Sequence, residues 1–324
     1  MTQAISTPAA QVLWVFGTGG TISGRAADPK DVLGYTAGEV SVDALLGDVA
    51  VPDGVSVRAE QVAQVDSKDM SWAIWQDLAQ RVRAALMQPE TRGVVITHGT
   101  DTMEETAYCL HRVLGPAVAH KAVVLTGAMR PASALEPDGP GNIADAMRVA
   151  CAPGARGVAL CMAGRVWDAL QGQKLHSGRL DAFGARDGEA FAEVCAGEVS
   201  VTGDWPQPSG DAWAHALAAE APWVELLTSG TQASARALQA LISAGVEGVV
   251  LATTGNGTVH QDLLRAAEAA YAAGLPVVRA SRTAHGNIRD GHPQAIPHAG
   301  GLSPFKARVE MMLRLASEQQ AVLA

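Results

Sequence analysis

The chain has 324 residues, of which 48% are hydrophobic and 18% are charged, and this balance indicates a folded globular protein rather than a disordered one. Its 33 acidic and 24 basic residues give a formal net charge of −9, which disfavours nucleic acid and anionic membranes as partners. A chain of this length is expected to form two domains, and none of its apolar segments approaches the length of a membrane span.

The first apolar run, residues 12–16, is much shorter than a signal-peptide core. The four cysteines show no C-x-x-C spacing, which predicts free thiols, mostly buried, in a reducing cytoplasm. They are Cys109, Cys151, Cys161 and Cys195. His285, His292 and His298 lie in a Gly- and Pro-rich segment without the spacing of a zinc site, so no metal is expected.

The first predicted strand covers residues 11–17 and runs into the glycine turn Gly17-Thr-Gly-Gly-Thr-Ile22. Glycines at such a turn permit positive φ and a close approach of ligand to backbone, so the hydroxyls of Thr18 and Thr21 could face a substrate. A dinucleotide-binding fingerprint needs a third glycine, and Ile22 stands in its position. No nucleotide cofactor is therefore expected.

Residues 23–40 form a glycine-rich loop in which Tyr35 is either a lid residue or an anchor that packs the loop down. A short helix signal follows at Ser41, and residues 55–65 alternate apolar and polar as a strand does. This strand leads to Ser67 and Lys68, and Ser71 is then expected to cap a helix.

The β-branched residues 94–97 predict a strand covered on both faces, and Thr100 and Asp101 follow at its carboxyl end. Thr102 and Glu105 have the spacing of a capping box, which predicts that a helix begins there. In open α/β sheets ligands bind at the carboxyl ends of the strands. This stretch is therefore a candidate site, or else only a well-capped turn between a strand and a helix.

Further strands are predicted at residues 122–126 and 157–162, with a helix between them that Asn142 is expected to cap. The regular alternation of strand and helix predicts a mainly parallel sheet with helices on both faces. The alternation is lost in residues 163–200, where Lys174 lies in a polar loop and has the pattern of an ordinary surface lysine.

Prolines and glycines in residues 203–222 predict a linker between two domains. The larger N-terminal domain would cover residues 1–202 and a smaller C-terminal α/β domain residues 223–324. Strand and helix alternate again in the second domain, and Ser303 with Pro304 predicts the start of a last helix. The predicted elements are strands at 223–227, 248–252 and 276–280 and helices at 232–243 and 261–273.

Threonine-bearing turns at two strand ends suggest a hydroxyl nucleophile. A threonine hydroxyl needs a base and an oxyanion site to react at neutral pH. Asp101 and Lys174 could form a proton relay, and backbone N–H groups at the glycine turns could stabilise a tetrahedral oxyanion.

Two motifs resemble those of the bacterial-type L-asparaginase/glutaminase family. They are Thr-Gly-Gly-Thr-Ile at 18–22 and His-Gly-Thr-Asp-Thr-Met-Glu-Glu-Thr-Ala at 98–107. Shorter segments at 34–38, 66–70, 127–131, 138–142 and 255–257 resemble the family as well, so the likeness spans nearly the whole chain.

The resemblance implies that Thr18 attacks the side-chain amide of asparagine, forms an acyl-enzyme and releases ammonia, after which water frees aspartate. It implies that Thr100, Asp101 and Lys174 form a second catalytic group and that Tyr35 closes beside Thr18. Whether Tyr35 or the Lys174 group takes the proton of the nucleophile is left open by the sequence.

The resemblance also implies a substrate site. Ser67 and Asp101 would hold the α-carboxylate and α-amino groups, and the N–H groups of Thr100 and Ala128 would bind the oxyanion. The family is usually a homotetramer of close dimers in which Asn256 reaches toward a neighbour's site. No metal or organic cofactor is implied.

Two departures from the family affect substrate preference. Lys68, included among the predicted substrate-binding residues, stands where the periplasmic enzymes commonly have glutamine. Residues 284–298 lack the glutamate that approaches the substrate amino group from the adjacent subunit in those enzymes. The preference among L-asparagine, D-asparagine and L-glutamine is thus left open.

Two other functions are alternatives to an L-asparaginase. One is the asparaginase-like subunit of a tRNA-dependent amidotransferase, which the acidic charge and the few residues before the first strand disfavour. The other is a catalytically silent amino-acid sensor, which the presence of the threonines, Asp101 and Lys174 disfavours.

Overall fold

A computed structural model describes residues 11–47, 49–210, 213, 215–289 and 295–323. The strands are β1 Gln11–Gly19, β2 Val55–Val65, β3 Thr91–Thr97, β4 Ala122–Thr126, β5 Gly157–Met162, β6 Arg165–Asp168, β7 Gly172–Lys174, β8 Phe183–Ala185, β9 Ala192–Cys195, β10 Glu198–Val201, β11 Val224–Thr228, β12 Gly248–Thr253 and β13 Val277–Ser281. The α-helices are α1 Val42–Leu46, α2 Trp72–Met87, α3 Met103–Leu114, α4 Gly139–Cys151, α5 Arg236–Ala244, α6 Gln261–Ala272 and α7 Pro304–Leu323.

The larger sheet has the strand order β10-β9-β6-β5-β4-β3-β1-β2, with β2, β1, β3, β4 and β5 parallel and β6, β9 and β10 antiparallel. Every residue of β4 and β5 is buried, because helices cover both faces of the sheet. Helices α2, α3 and α7 pack on one face and α4 on the other.

The smaller sheet has the parallel order β11-β12-β13. Helices α5 and α6 cover one face of it and α7 covers the other. Helix α7 therefore packs on both sheets, through Val309 and Leu313 on the larger sheet and Ala307 and Met311 on the smaller one. The predicted fold class, a larger mainly parallel α/β domain followed by a smaller one, is confirmed.

The predicted caps at Ser71 and Ser303 form as expected, and Ser41, where a short helix signal was predicted, caps its helix as well. Ser41, Ser71 and Ser303 each accept a hydrogen bond from a backbone N–H in the first turn of the following helix. The capping box at Thr102 is wrong, because its hydroxyl donates to the carbonyl of Ser67, 2.6 Å away, and makes no bond within its own helix. Asn142 is not a cap either.

Helix α4 starts at Gly139, so Asn142 lies inside its first turn. Its amide nitrogen donates to the carbonyl of Gly127 and its amide oxygen accepts from the N–H of Ala163. The polar loop expected around Lys174 is also wrong in part, because residues 163–201 contain five short strands, two of which form the separate ribbon β7–β8 that carries Lys174.

All four cysteines are free thiols, two of them buried, one partly buried and one exposed. The linker predicted at 203–222 stays a prediction. His292 lies outside the described residues. Within the described ranges no three His, Cys, Asp or Glu side chains could together hold a metal ion, and none of the helices found there has the length and apolar character needed to cross a membrane.

Candidate active site

The carboxyl ends of β1, β2 and β3 meet in a close backbone contact between two glycines. A Cβ on Gly20, whose φ is +85°, would lie 2.2 Å from the Cα of Gly99. A Cβ on Gly99 would lie 2.6 Å from the hydroxyl of Ser67, and the N–H of Gly20 donates to the carbonyl of Val65. Glycine is needed at both positions, and their contact brings the three strand ends together at one edge of the sheet.

Thr18 does not face this edge. It lies within β1 and is 1% exposed, and its hydroxyl donates to the carbonyl of Thr97 at 3.0 Å. A nucleophile must reach its substrate, so the prediction that Thr18 attacks the amide is wrong. The hydroxyl instead ties β1 to β3, its neighbour in the sheet.

Thr21 occupies the position that was predicted for Thr18. Gly19 and Gly20 have φ values of +103° and +85°, which turn the chain out of β1 into a 3-10 helix that begins at Thr21. The Thr21 hydroxyl lies 2.7 Å from the hydroxyl of Tyr35 and lines a cavity of about 430 Å³. The turn between the two threonines therefore decides which hydroxyl is available for chemistry.

Tyr35 contacts Thr21 and not Thr18, which corrects its predicted partner. A backbone bridge pairs Arg25 with Thr36 in both directions at 2.9 Å, so the loop is held as a hairpin. The ring of Tyr35 packs so closely on Gly24 that a Cβ there would lie 2.6 Å from it. Tyr35 is thus both an anchor of the loop and a wall of the cavity.

Lys174 is brought to the end of β3 from 73 residues away in the sequence. Its ammonium donates to the Thr100 hydroxyl at 2.8 Å and to the Asp101 carboxylate at 2.6 Å. The Lys174 side chain is 16% exposed, which corrects the interpretation of an ordinary surface lysine. All three residues line the same cavity as Thr21 and Tyr35.

Ser67 and Ala128 lie beside this group. Ser67 is 2% exposed and lines the cavity. Ala128 is fully buried after β4, in a turn fixed by Asp138, whose carboxylate accepts from the N–H groups of Met129 and Arg130. The backbone N–H groups of Thr100 and Ala128 have no acceptor within the described part of the chain, and Thr100 lines the cavity, so the two groups are candidates for an oxyanion site.

Lys68 and Asn256 lie outside the cavity in this chain. The Lys68 side chain is 63% exposed and pairs with Asp66 and Asp69, and its predicted contact with substrate stays a prediction. Asn256 exchanges two hydrogen bonds of 2.7 Å with the backbone of Arg289. Its predicted role at a neighbour's site stays a prediction.

A buried histidine that the sequence did not single out supports the Thr100 turn. Nδ1 of His98 lies 2.7 Å from the carbonyl of Gly99, which can only accept, so Nδ1 carries the proton. Nε2 of the neutral ring then accepts from the Thr106 hydroxyl at 2.9 Å, and that hydroxyl accepts from Trp75 at 2.9 Å. Burial lowers the pKa of His98 to about 4, which keeps the ring neutral at physiological pH.

Three buried charges behind the Lys174 ribbon were missed as well: Glu104, Arg186 and Lys306. Glu104 accepts from the backbone N–H of Lys174 at 2.7 Å, and burial raises the pKa of its carboxyl. Burial and the neighbouring Glu104 raise the pKa of Glu105 to about 7. Lys306 lies on the same helical stripe as the apolar residues Val309 and Leu313. A charge at a position that should be apolar by helical spacing was the signal that could have identified it.

The assembled groups suit acyl transfer. The accessible hydroxyl of Thr21 has the Tyr35 hydroxyl as its partner. The hydroxyl of Thr100 is paired with Lys174, which also binds Asp101, and unpaired backbone N–H groups lie nearby. Ser67 and Asp101 add a hydroxyl and a carboxylate that can bind a zwitterionic ligand.

Comparison with known proteins agrees with this chemistry. Residues 12–207 match the family model "Asparaginase, N-terminal" and residues 223–322 match "Glutaminase/Asparaginase C-terminal domain". The chain is 33% identical to L-asparaginase 2 of Escherichia coli, over 93% of this chain and 88% of that protein. It is 32% identical to a glutaminase-asparaginase of Acinetobacter glutaminasificans, over 95% and 96% of the two chains.

A solved structure is also similar throughout. The crystal structure of a probable cytoplasmic L-asparaginase from Campylobacter jejuni superposes with a TM-score of 0.87 at 32% sequence identity. The match covers 94% of this chain and 95% of the other. Both sheets are thus part of an architecture that the two chains share.

Proposed function

The chain belongs to the asparaginase family, and from that membership we propose that it is an amidohydrolase that converts L-asparagine to L-aspartate and ammonia, with weaker hydrolysis of L-glutamine. The observation that carries the proposal is the hydroxyl of Thr21, which contacts Tyr35 in the cavity that Thr100, Asp101 and Lys174 also line. Thr21 is the nucleophile.

In the first step the Thr21 oxygen attacks the side-chain amide carbon. The N–H groups of Thr100 and Ala128 stabilise the tetrahedral oxyanion, and the C–N bond breaks as the leaving nitrogen gains a proton. Ammonia leaves and an ester of Thr21 remains. A water molecule then attacks this ester, Thr21 regains its proton, and aspartate is released.

The contact at 2.7 Å makes Tyr35 the group through which the Thr21 proton leaves. In that arrangement the proton passes to the Tyr35 oxygen as the tyrosine proton passes on to the leaving nitrogen. Thr100, with Lys174 and Asp101, then accepts a proton from the water that attacks the ester. Tyr35→Phe tests this division, and we expect turnover to fall about 10²-fold. Near-normal turnover would mean that the Lys174 group, and not Tyr35, takes the proton of Thr21.

The pocket selects a small amino acid by binding both its head group and its side-chain amide. Ser67 binds the α-carboxylate and Asp101 the α-amino group, while the side-chain amide extends toward Thr21. A hydroxyl and a carboxylate at fixed positions favour the zwitterion over a neutral amide. This orientation predicts that the amide alone, without the amino-acid head group, is a poor substrate.

The nucleophile is tested by a matched pair of variants, Thr21→Val and Thr18→Val. Valine replaces the hydroxyl by a methyl group of similar shape at both positions. Ammonia release from L-asparagine should fall at least ~10³-fold in Thr21→Val, because the nucleophile acts as a unit with its relay. It should fall less than about tenfold in Thr18→Val, which loses one hydrogen bond to the backbone. The reverse order would contradict the proposal.

The assembly and the compartment are further parts of the proposal. A homotetramer of close dimers would bring Asn256 toward a neighbour's site, and four free thiols fit a reducing cytoplasm. The relatives are named as asparaginases and one as a glutaminase-asparaginase, so neither the amidotransferase subunit nor the silent sensor is favoured. Ammonia release from L-asparagine, D-asparagine and L-glutamine, with the gel-filtration mass of the same sample, tests substrate and assembly together.

A further inference from the structure

Lys174 is carried by a structural element that is weak by itself. Strands β7 and β8 have three residues each and form a two-stranded antiparallel ribbon separate from both larger sheets. A two-stranded ribbon alone is marginally stable in water at best. Other contacts must therefore keep the Lys174 ammonium within 2.8 Å of Thr100 and Asp101.

The strongest of these contacts comes from α7. Lys306, the third residue of that helix, is 1% exposed. Its ammonium donates to the carbonyls of Ala169, Leu170 and Gly172 at 2.9, 3.0 and 2.7 Å. All three ammonium hydrogens are thus used by one turn, and that turn leads directly into β7.

Stability alone gives little reason for an ammonium at this position. Burying a charge is costly, and a well-packed apolar side chain in place of a buried charge is often neutral or stabilising. Burial lowers the pKa of Lys306 to about 8, which reflects that cost. What an apolar side chain could not do is bind three carbonyls of the same turn at once.

The remaining anchors of the ribbon act at other points. Glu104 on α3 binds the N–H of Lys174 at 2.7 Å. Arg186, which follows β8, donates to the carbonyl of Ser281, the last residue of β13, and to that of Thr283 just beyond it. Lys306 is the anchor that acts on the chain immediately before β7, and its three hydrogen bonds connect that chain to α7, the long helix that packs on both sheets.

We propose that Lys306 is a positioning residue for the reaction: by binding the three carbonyls of the 169–172 turn it fixes β7 and so holds the ammonium of Lys174 against Thr100 and Asp101. The inference rests on the proposed function, in which Lys174 acts in turnover. Lys306 itself contacts no substrate, because it lies behind the ribbon and is closed off from the cavity.

This role has a kinetic signature. Ser67, Thr100 and Asp101 follow strands of the larger sheet, so the sheet and not the ribbon fixes the backbone of the substrate-binding residues. Lys306→Met should therefore lower kcat about 10- to 100-fold, since a displacement of about 1 Å can cost 10²-fold. The KM for L-asparagine should change less than about threefold.

A double-mutant cycle separates positioning from general support of the fold. Lys174→Met, Lys306→Met and the double variant are compared with the parent enzyme by kcat, KM and Tm. In the Lys174→Met background, Lys306→Met should lower kcat less than about twofold, because the group it positions is already absent. Val309→Ala, a buried apolar change on the same helix, is the matched control, and it should lower Tm while leaving kcat within about twofold in both backgrounds.

The outcomes distinguish this inference from the proposed function. If Lys306→Met lowers kcat by the same factor with and without Lys174, or raises KM as much as it lowers kcat, the positioning role is overturned. If Lys174→Met itself turns over near normally, the catalytic lysine of the proposed function is overturned and the inference with it. Should Lys306→Met not fold, Lys306→Gln, which loses the charge and has two N–H donors in place of three, is used in the same cycle and is read by the same criteria.

Discussion

The two sides of the active site are built by different means. Thr21, Ser67 and Thr100 follow strands of the larger sheet, whose ends are locked by the contact between Gly20 and Gly99. Lys174 comes from a three-residue strand that buried charges on α3 and α7 hold in position. The first side is rigid through its backbone, whereas the second depends on side chains, so the two should fail in different ways when they are altered.

The largest effect is expected where the backbone contact is broken. Gly20→Ala would put a Cβ within 2.3 Å of two backbone atoms of Gly99, at a φ of +85° that L-residues rarely adopt. Neither turn can move without displacing the strand end that carries it. We expect kcat to fall at least about 10²-fold and Tm to fall as well.

Gly141→Ala is the control for that variant. Gly141 lies in α4 without a positive φ, and a Cβ there would meet no atom within 4 Å. Both kcat and Tm should stay close to those of the parent. Parent-like activity in Gly20→Ala would mean that the site does not depend on the contact of the two turns.

A smaller effect is expected where a side-chain anchor of the ribbon is altered. Glu104→Gln keeps an oxygen that can accept from the N–H of Lys174, whereas Glu104→Leu removes the acceptor. We expect Glu104→Leu to lower kcat about tenfold and Glu104→Gln to lower it less than about threefold. Equal losses in both variants would assign the effect to the charge of Glu104 and not to its hydrogen bond.

The smallest effect concerns the thermal stability of the protein in acid, which should depend on two buried histidines near the end of β3 and on α3. Burial lowers the pKa of both His98 and His111 to about 4 from 6.5. The unfolded chain binds more protons than the folded one between pH 6.5 and 4, so the stability these residues contribute above pH 6.5 is lost as the pH falls through 4. Each pKa unit corresponds to about 1.4 kcal/mol.

Glu105 acts in the opposite direction. Its pKa is raised to about 7 from 4.5, so its contribution is present below pH 4.5 and is lost as the pH rises through 7. Thermal unfolding measured from pH 7 to 4.5 should therefore show a smaller loss of Tm in His111→Gln and a larger one in Glu105→Gln. If neither variant changed the slope, these groups would not govern the acid response.

The sheet side could largely be predicted from the sequence. Long apolar runs determine β1 and β3, and the polar residues that follow a strand must lie at its carboxyl end, as Thr100 and Asp101 do. The choice between Thr18 and Thr21 could not be predicted from the motif alone. Both flank the same two glycines, and it is the positive φ of Gly19 and Gly20 that turns one hydroxyl inward and the other toward the cavity.

The ribbon side could not be predicted from periodicity. A three-residue strand is too short to show alternation, and the partner of Lys174 lies 73 residues away in the sequence. Lys306 would have been the strongest local signal, because a charge on the apolar stripe of α7 requires partners. Its partners are backbone carbonyls, which carry no sequence signature.

The identity of the nucleophile is the central claim, and the acyl-enzyme tests it most directly. The parent, Thr21→Val and Thr18→Val enzymes are mixed with L-asparagine, quenched in acid within milliseconds, digested and sequenced by fragmentation in a mass spectrometer. We predict an aspartyl ester on Thr21 in the parent and in Thr18→Val, and no ester in Thr21→Val. An ester on Thr18, or one that persists in Thr21→Val, would contradict the account.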